Sequence, residues 1–314
     1  MRRALCVLAS LKKRRAGVRS PARATFAPAF ASAFAPESAR ARGLVLALGL
    51  GLGGLTGCGG GTPLLHPART LPSGEVRVAG GLSGNLVPGG LSNDLRAARE
   101  RAANDPNGVP GAPGTNADYA KGAMVAAAVA PGIAPFVGAR VGLGDAFEGG
   151  LAYTGRAVRV DVRKSFDAKE TSLSVGIGGT AALYGRDPGQ NDLPAVDLSS
   201  LKGYGADIPV LVGWQSQGGL YRIWGGARGG FERDSVSRLS SEPREPPPGV
   251  PALTLEATRF YAGGVVGLAT GLRHVHVALE LQVAYQTASG TYNGTSVSVS
   301  GVSISPATAL LWTF

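Results

Sequence analysis

Side chains with the chemistry for catalysis or metal binding are few in this sequence. It holds three histidines, His66, His274 and His276, and two cysteines, Cys6 and Cys58. A nucleophilic enzyme places a serine or cysteine beside a histidine base and an orienting group, but no serine lies within two residues of His274 or His276. A zinc site needs more ligands than these at suitable spacing. We therefore predict no catalytic residues, no metal site and no cofactor.

The charge distribution argues against nucleic acid as a partner. The formal net charge is +10, but residues 1–43 hold ten Lys/Arg and a single acidic residue. The other 271 residues hold 21 Lys/Arg and 20 Asp/Glu, so no basic face is left to bind a phosphate backbone. The two cysteines are too few for a disulfide framework.

The most regular stretch is residues 273–286, which alternate with a period of two. One parity is apolar: Val275, Val277, Leu279, Leu281, Val283 and Tyr285. The other parity carries His274, His276, Ala278, Glu280, Gln282, Ala284 and Gln286. Such alternation predicts a β-strand with one apolar and one polar face. The stretch is longer than most soluble strands and exceeds the roughly 9–11 residues with which a tilted strand crosses a bilayer.

Similar tracts recur along the chain and predict an all-β, antiparallel transmembrane barrel of about ten strands, with twelve or eight as alternatives. The tracts are 75–87, 119–130, 135–144, 147–166, 171–184, 204–217, 219–233, 253–270, 273–286 and 297–314. Bulges near Gly155 and Gly301 would keep the apolar rows of two tracts on one face. If 147–154 and 157–166 were separate strands, another tract would have to leave the barrel or split to keep the number even. Residues 94–103 predict a short helix in the connection 88–118.

The polar parity of these tracts carries charges of both signs. Its candidate lumen residues are Arg140, Glu148, Arg159, Asp161, Arg163, Asp207, Arg222, Arg228, Glu232, His274, His276 and Glu280. With histidine counted as neutral, five are positive and five are negative. Buried charges need partners, and a barrel of this size has little space inside. We therefore predict a paired charge network and a closed or very narrow lumen, with any ligand site in the long loops.

Connection lengths and aromatic residues predict which strand ends lie together. Four long connections, 88–118, 185–203, 234–252 and 288–298, fall at one end, where Asp145-Ala146 is the only short turn expected. The short connections 131–134, 167–170, 217–218 and Gly271 fall at the other end. Aromatic side chains would form a girdle at each end. The residues are Phe136, Phe166, Trp214, Tyr221, Trp312 and Phe314 at the end with short connections, and Tyr184, Tyr204, Phe231, Phe260 and Tyr285 at the other.

A targeting signal precedes the strand tracts. Residues 44–57 form a glycine-rich apolar run after basic residues, too short for a comfortable transmembrane helix and typical of a secretory signal. The run ends in Leu55-Thr56-Gly57-Cys58, which resembles the lipobox of bacterial lipoproteins. The resemblance implies cleavage before Cys58, acylation of its thiol and, with Gly59 next to it, sorting to the outer membrane. The predicted domains are a basic extension and signal peptide (1–57), a Gly/Pro linker (58–73) and a barrel (74–314).

Residues 74–314 as a whole resemble bacterial outer-membrane β-barrel proteins. Leu310, Trp312 and Phe314 alternate up to the final phenylalanine, which is similar to the assembly signal of that family. The resemblance implies an outer-membrane location in a diderm bacterium. It also implies that membrane lipid and the barrel-assembly and lipoprotein-processing machineries are partners.

Three functions remain open at this point. The first is a structural, narrow-transport or ligand-binding barrel without chemistry of its own. The second is a lipid-anchored soluble β-barrel that binds a ligand in its interior, and the third is an outer-membrane lipid hydrolase or protease. The first two differ in whether the apolar strand face points outward or inward, which alternation alone does not decide.

Overall fold

The computed structural model describes residues 60–104, 117–183, 198, 201–236 and 254–314. The chain divides into two compact units, Met1–Gly49 and Leu50–Phe314, and all described residues belong to the second. The predicted signal segment, the lipobox, Cys6, Cys58 and Tyr184 lie outside the described residues.

Ten antiparallel strands close into a barrel in which each strand pairs with its neighbours in sequence and β1 pairs with β10. The strands are β1 (Val76–Asn85), β2 (Gly132–Gly144), β3 (Phe147–Tyr153), β4 (Ala157–Ala168), β5 (Thr171–Ala182), β6 (Leu201–Gln215), β7 (Tyr221–Val236), β8 (Leu255–Leu272), β9 (Val275–Tyr292) and β10 (Thr295–Thr313). The prediction of a ten-stranded antiparallel barrel is confirmed.

Two of the predicted strand assignments are wrong, and together they leave the number of strands at ten. The tract 147–166 is two strands, β3 and β4, joined by a turn at residues 154–156 rather than a bulge, with Gly155 at φ 83°. The tract 119–130 is helical and does not join the sheet. Its alternation is carried by alanine, which has low strand propensity and is favoured in helices. The strand number therefore stays even for the reason anticipated above.

The connection between β1 and β2 carries helices that cap one end of the barrel. They are α1 (Gly90–Asn104) and α2 (Ala117–Met124), and α2 continues into a π-helical turn (Val125–Val129). Every residue of that turn is buried. The helices pack against the inward side chains of Leu255, Val297 and Val299 in one apolar cluster. Burial raises the pKa of the Tyr119 hydroxyl above its usual value, and its ring meets Tyr292 edge-on at 6.3 Å.

Connection lengths differ between the two ends, which we name the Phe314 rim and the Asn85 rim after residues at them. At the Phe314 rim all four connections are short: 145–146, 169–170, 216–220 and 273–274. At the Asn85 rim three of five are long: 86–131, 183–200 and 237–254. The predicted asymmetry is confirmed, with three corrections. Asp145-Ala146 lies at the Phe314 rim, residues 131–134 lie at the Asn85 rim, and β9 and β10 meet in a tight turn at Asn293 and Gly294 instead of a loop over 288–298.

Apolar side chains cover the outside of the barrel between two aromatic girdles. Val277 and Leu279 on β9 are each 49% exposed. The exposed rings are Phe147, Phe166, Trp214, Tyr221, Trp312 and Phe314 towards the Phe314 rim, and Tyr204, Phe231, Phe260 and Tyr285 towards the other. The prediction that Phe136 joins a girdle is wrong, because it faces the lumen and is buried. Tyr221 and Phe231 are ten residues apart on β7, which spans about 33 Å along a strand and about 25 Å of height at a usual tilt.

The polarity of the two strand faces reverses beyond the girdle nearer the Asn85 rim, while the direction of the side chains stays the same. On β9 the outward row is apolar up to Tyr285 and then continues as Thr287 and Ser289, whereas the inward row turns from Gln286 to Ala288. On β10 the inward Val297 and Val299 meet the helical cap, and Ser298 and Ser300 face outward. Pairing of β10 with β9 runs without a shift through Gly301. The predicted bulge at Gly301 is therefore wrong. The apolar side chains change from the outward to the inward row there because the apolar belt on the outside of the barrel ends.

Candidate functional site: the filled lumen

Residues 60–73, which we call the plug segment, run through the barrel: residues 60–71 are buried or half-buried, and Pro72 and Ser73 are exposed. The segment runs from Gly60, which lies beside Ser83 and Ala134 near the Asn85 rim, to Pro72, which lies against Gly142 near the Phe314 rim. A Cβ on Gly142 would be 1.9 Å from the Pro72 carbonyl oxygen, so only glycine allows this approach. The sequence indicated no more than a Gly/Pro linker for this stretch.

Glu280 holds the middle of the plug segment. Its carboxylate accepts hydrogen bonds from the backbone N–H groups of Leu64 and Leu65, each at 2.7 Å, and from the indole N–H of Trp224 at 3.1 Å. Glu280 is buried, and it sits on β9 while Trp224 sits on β7. One wall carboxylate therefore satisfies two plug amides that would otherwise lack partners inside the lumen.

The half of the plug segment nearer the Phe314 rim is held by an arginine and a second carboxylate. The guanidinium of Arg163 donates to the carbonyl oxygens of Pro67, Ala68 and Arg69. Glu148 accepts from the backbone N–H of Leu71 at 2.8 Å. The apolar plug side chains pack on the inward residues Phe136, Leu211, Trp224 and Val265 in a second apolar cluster. Polar and apolar contacts thus act on the same short segment.

A continuous arginine–carboxylate network lines the wall around the plug segment. Arg159 bonds Asp161 at 2.5 Å and Asp207 at 2.7 Å, and Arg228 reaches Asp207 at 2.7 Å and the carbonyl oxygen of Thr62. The remaining pairs are Arg140 with Glu148 and Asp161, and Arg163 with Glu148. Charged groups at this burial are tolerated only when paired and hydrogen-bonded. Every charge of the network has an ion-pair partner, and among its donors the Arg228 Nε is buried without a hydrogen bond in the described residues.

A separate charged cluster joins the barrel to the helical cap. Arg156 bonds Glu232 at 3.0 Å, lies 3.8 Å from Asp234, and donates to the carbonyl oxygen of Ala127 at 3.0 Å. Arg259 on β8 also bonds Glu232. Because Ala127 belongs to the π-helical turn, this cluster attaches that turn of the helical cap to the barrel wall.

The predicted lumen residues do not all join the network. The network contains Arg140, Glu148, Arg159, Asp161, Arg163, Asp207 and Arg228, whereas Glu232 lies in the cluster at the cap and Glu280 contacts the plug segment. The prediction for His274 is wrong, because it lies exposed in the β8–β9 turn beside the Thr313 carbonyl oxygen. His276 faces inward with Nε2 2.9 Å from the Gly219 carbonyl oxygen. Arg222 is half-buried near the Phe314 rim.

Sequence reasoning missed four charged wall residues, and this changes the charge balance. Arg77 and Arg259 share the inward parity of their strands, so alternation could have found them. Asp234 lies one residue beyond the predicted end of its tract, and Arg156 sits in the turn that replaces the predicted bulge. In the described part of the wall, eight buried or half-buried arginines face six buried carboxylates. The less buried Glu75 and Asp167 add two carboxylates near the Phe314 rim, so the predicted balance fails only for the buried groups.

The side chains that sequence analysis considered for chemistry have structural contacts in the described part of the chain. Groups of three or more His, Cys, Asp or Glu that could hold a metal are absent from them. Glu280 is occupied by the plug segment, and His276 is directed at a backbone carbonyl. None of the helices in the described ranges has the length and apolar character to cross a membrane.

Comparison with known proteins gives structural similarity only. No family profile matches the chain, and no curated protein does. Among solved structures, Neisserial surface protein A has a TM-score of 0.29 at 12% identity, covering 76% of this chain and 96% of that one. A major outer membrane protein from Thermus thermophilus has 0.28 at 11%, covering 76% and 99%. The outer membrane protease OmpT from Escherichia coli has 0.31 at 9%, covering 79% and 100%. Values this low carry no argument about activity.

Proposed function

We propose that this chain is a non-enzymatic β-barrel of the outer membrane of a diderm bacterium. Its N-terminal plug segment closes its lumen, so the barrel acts as a membrane-embedded scaffold and not as a general pore. The observation that carries the proposal is the hydrogen-bonded plug segment, held by Glu280, Glu148 and Arg163 inside an arginine–carboxylate wall. Binding to other molecules then takes place at the two rims and on the helical cap.

The facing of the strands supports a membrane location over a soluble barrel. A lipid-anchored soluble barrel would bury the apolar parity in its core. Here Val277, Leu279 and their row face outward, while Glu280 and the other charged residues face inward. An apolar band about 25 Å tall between aromatic girdles, with an even strand number, is typical of outer-membrane barrels. The polar outward side chains beyond Tyr285, Thr287 and Ser289, fit strands that continue into water.

Single-channel recording tests the closed lumen. The full chain, refolded in detergent and inserted into planar bilayers, should show no steady openings of general-porin size, because the plug segment and the paired wall occupy the bore. A variant lacking residues 60–73 serves as the positive control and should conduct more than the complete chain. Porin-sized steady openings from the complete chain would contradict the proposal.

We also propose that Cys58 is acylated and becomes the mature N-terminus, on the strength of its lipobox and the basic and apolar residues before it. Gly60 lies near the Asn85 rim, and two residues span at most about 7 Å, so the lipid would be attached at that end of the barrel. The change Cys58→Ala should abolish labelling by radioactive palmitate and leave an unprocessed precursor. Cys6→Ala is the matched control and should be labelled like the unchanged chain. Equal labelling of both variants would refute acylation at Cys58.

A further inference from the structure

A cavity of about 660 Å³ opens at the Phe314 rim, below the end of the plug segment. The plug contributes Arg69 and Leu71 to its lining, and the wall contributes Arg77 and Arg222 from β1 and β7. These two strands lie four places apart in the barrel order, nearly opposite each other. The plug segment closes the inner end of the cavity, so only the rim gives access from solution.

Arg77 is a buried cation with no carboxylate within 4.0 Å among the described residues. It is 5% exposed, and its Nε donates to the Thr313 hydroxyl at 3.2 Å. Its Nη1 is buried without a hydrogen-bond partner among the described residues. The Nε of Arg222 is in the same condition. A buried guanidinium with unused donors is costly unless an anion or ordered water completes it.

The charge distribution of the lumen makes these two arginines exceptional. Each of the other six inward arginines of the described wall has at least one carboxylate within 4.0 Å. Arg77 and Arg222 account for the excess of arginines over fully buried carboxylates in the described wall. Arg69, which also lines the cavity, lies 3.7 Å from Asp167 and bonds Ser172. The remaining acidic side chains in the lining are Glu75, which is half-buried, and Asp145, which is exposed.

We propose that Arg77 and Arg222 together bind a small oxyanion, a phosphate or carboxylate group, in this cavity. Guanidinium groups match the planar geometry and the charge of both groups. Both side chains line the cavity, and none of the described carboxylates forms an ion pair with either of them. The carboxylates of Glu75 and Asp145 at the mouth disfavour polyanions, so the site selects a single charged group. The proposal does not depend on whether the barrel conducts.

Thermal unfolding of the full chain in detergent, with inorganic phosphate against chloride at equal ionic strength, tests the site. Phosphate should raise the unfolding temperature and bind measurably by calorimetry. Arg222→Gln and the double change with Arg77→Gln should weaken that binding at least tenfold. Arg273→Gln is the matched control, because Arg273 lines the same cavity but is exposed in a turn. It should bind phosphate like the unchanged chain.

Further ligands distinguish a carboxylate from a phosphate, and a soluble phosphate from a lipid headgroup. Acetate tests the carboxylate class, and soluble glycerol phosphate is compared with the same headgroup in phosphatidylglycerol vesicles. If Arg77→Gln does not fold, Arg222→Gln alone decides, because Arg222 is only half-buried. An equal response of all variants would show general ionic effects and overturn the proposal, as would the absence of any response in the unchanged chain.

Discussion

Replacing Glu280 by alanine should loosen the plug segment and allow the barrel to conduct. The change removes the acceptor of two backbone N–H groups, of Leu64 and Leu65, and of the Trp224 indole N–H. Each buried donor left without a partner costs about 1–3 kcal/mol. We expect the free energy of unfolding to fall by about 3 kcal/mol or more, and brief openings to appear in planar bilayers where the unchanged chain is silent.

Two further variants separate this effect from general damage. Glu280→Gln keeps one acceptor oxygen and should lie between the alanine variant and the unchanged chain in both measurements. Glu256→Ala removes an exposed carboxylate on the outward face of β8, 3.8 Å from the exposed Arg233. Such a surface pair contributes little, so this variant should resemble the unchanged chain. Unchanged stability and silence in Glu280→Ala would show that Glu280 does not retain the plug segment.

Deleting residues 312–314 should prevent the barrel from closing. These residues complete the seam between the first and last strands. Trp312 and Thr313 pair with Val78 and Arg77, and the backbone groups of Phe314 and Val76 exchange two hydrogen bonds of 2.9 Å. Within a bilayer each unpaired backbone group costs several kcal/mol. We expect the deletion variant to lose the heat-dependent shift in gel mobility that marks a folded barrel.

The single change Trp312→Ala is the control for this deletion. It keeps every backbone hydrogen bond of the seam and removes only a ring that faces outward in the girdle at the Phe314 rim. It should still fold and shift on heating, with a lower unfolding temperature because apolar contact with lipid is lost. A deletion variant that migrates as a compact barrel would show that residues 312–314 are dispensable for closure.

Alternation of apolar and polar residues predicted the strand segments whose outward side chains face lipid and whose inward side chains face the lumen. Tract 273–286 is the clearest case, because lipid outside and carboxylates inside require opposite side-chain types. The same rule failed at Val297 and Val299, where the strand has left the bilayer and its inward face meets helices. It failed also in 119–130, where alanine satisfies either period, as the buried α2 and π-helical turn show.

The plug segment was beyond the reach of sequence periodicity. Leu64, Leu65 and Ala68 have no repeat of two or of 3.6, because the segment is held by wall side chains and not by a regular ladder. The sequence predicted most of the residues of the charge network, but it did not predict which of them form pairs. Charge balance predicted arginine partners for Glu280, whereas its partners are backbone amides and an indole.

The plug segment also imposes an order of events on folding. It is covalently continuous with β1, and β1 pairs with β10, the barrel strand farthest from it in sequence. Once that seam has closed, the segment could enter only by sliding lengthwise through a bore already crowded by arginine side chains. Capture of residues 60–73 must therefore precede or accompany closure. In the finished barrel the segment can leave only by sliding lengthwise or after the seam opens, so retention is governed by the kinetics of these routes as well as by the contacts of the segment.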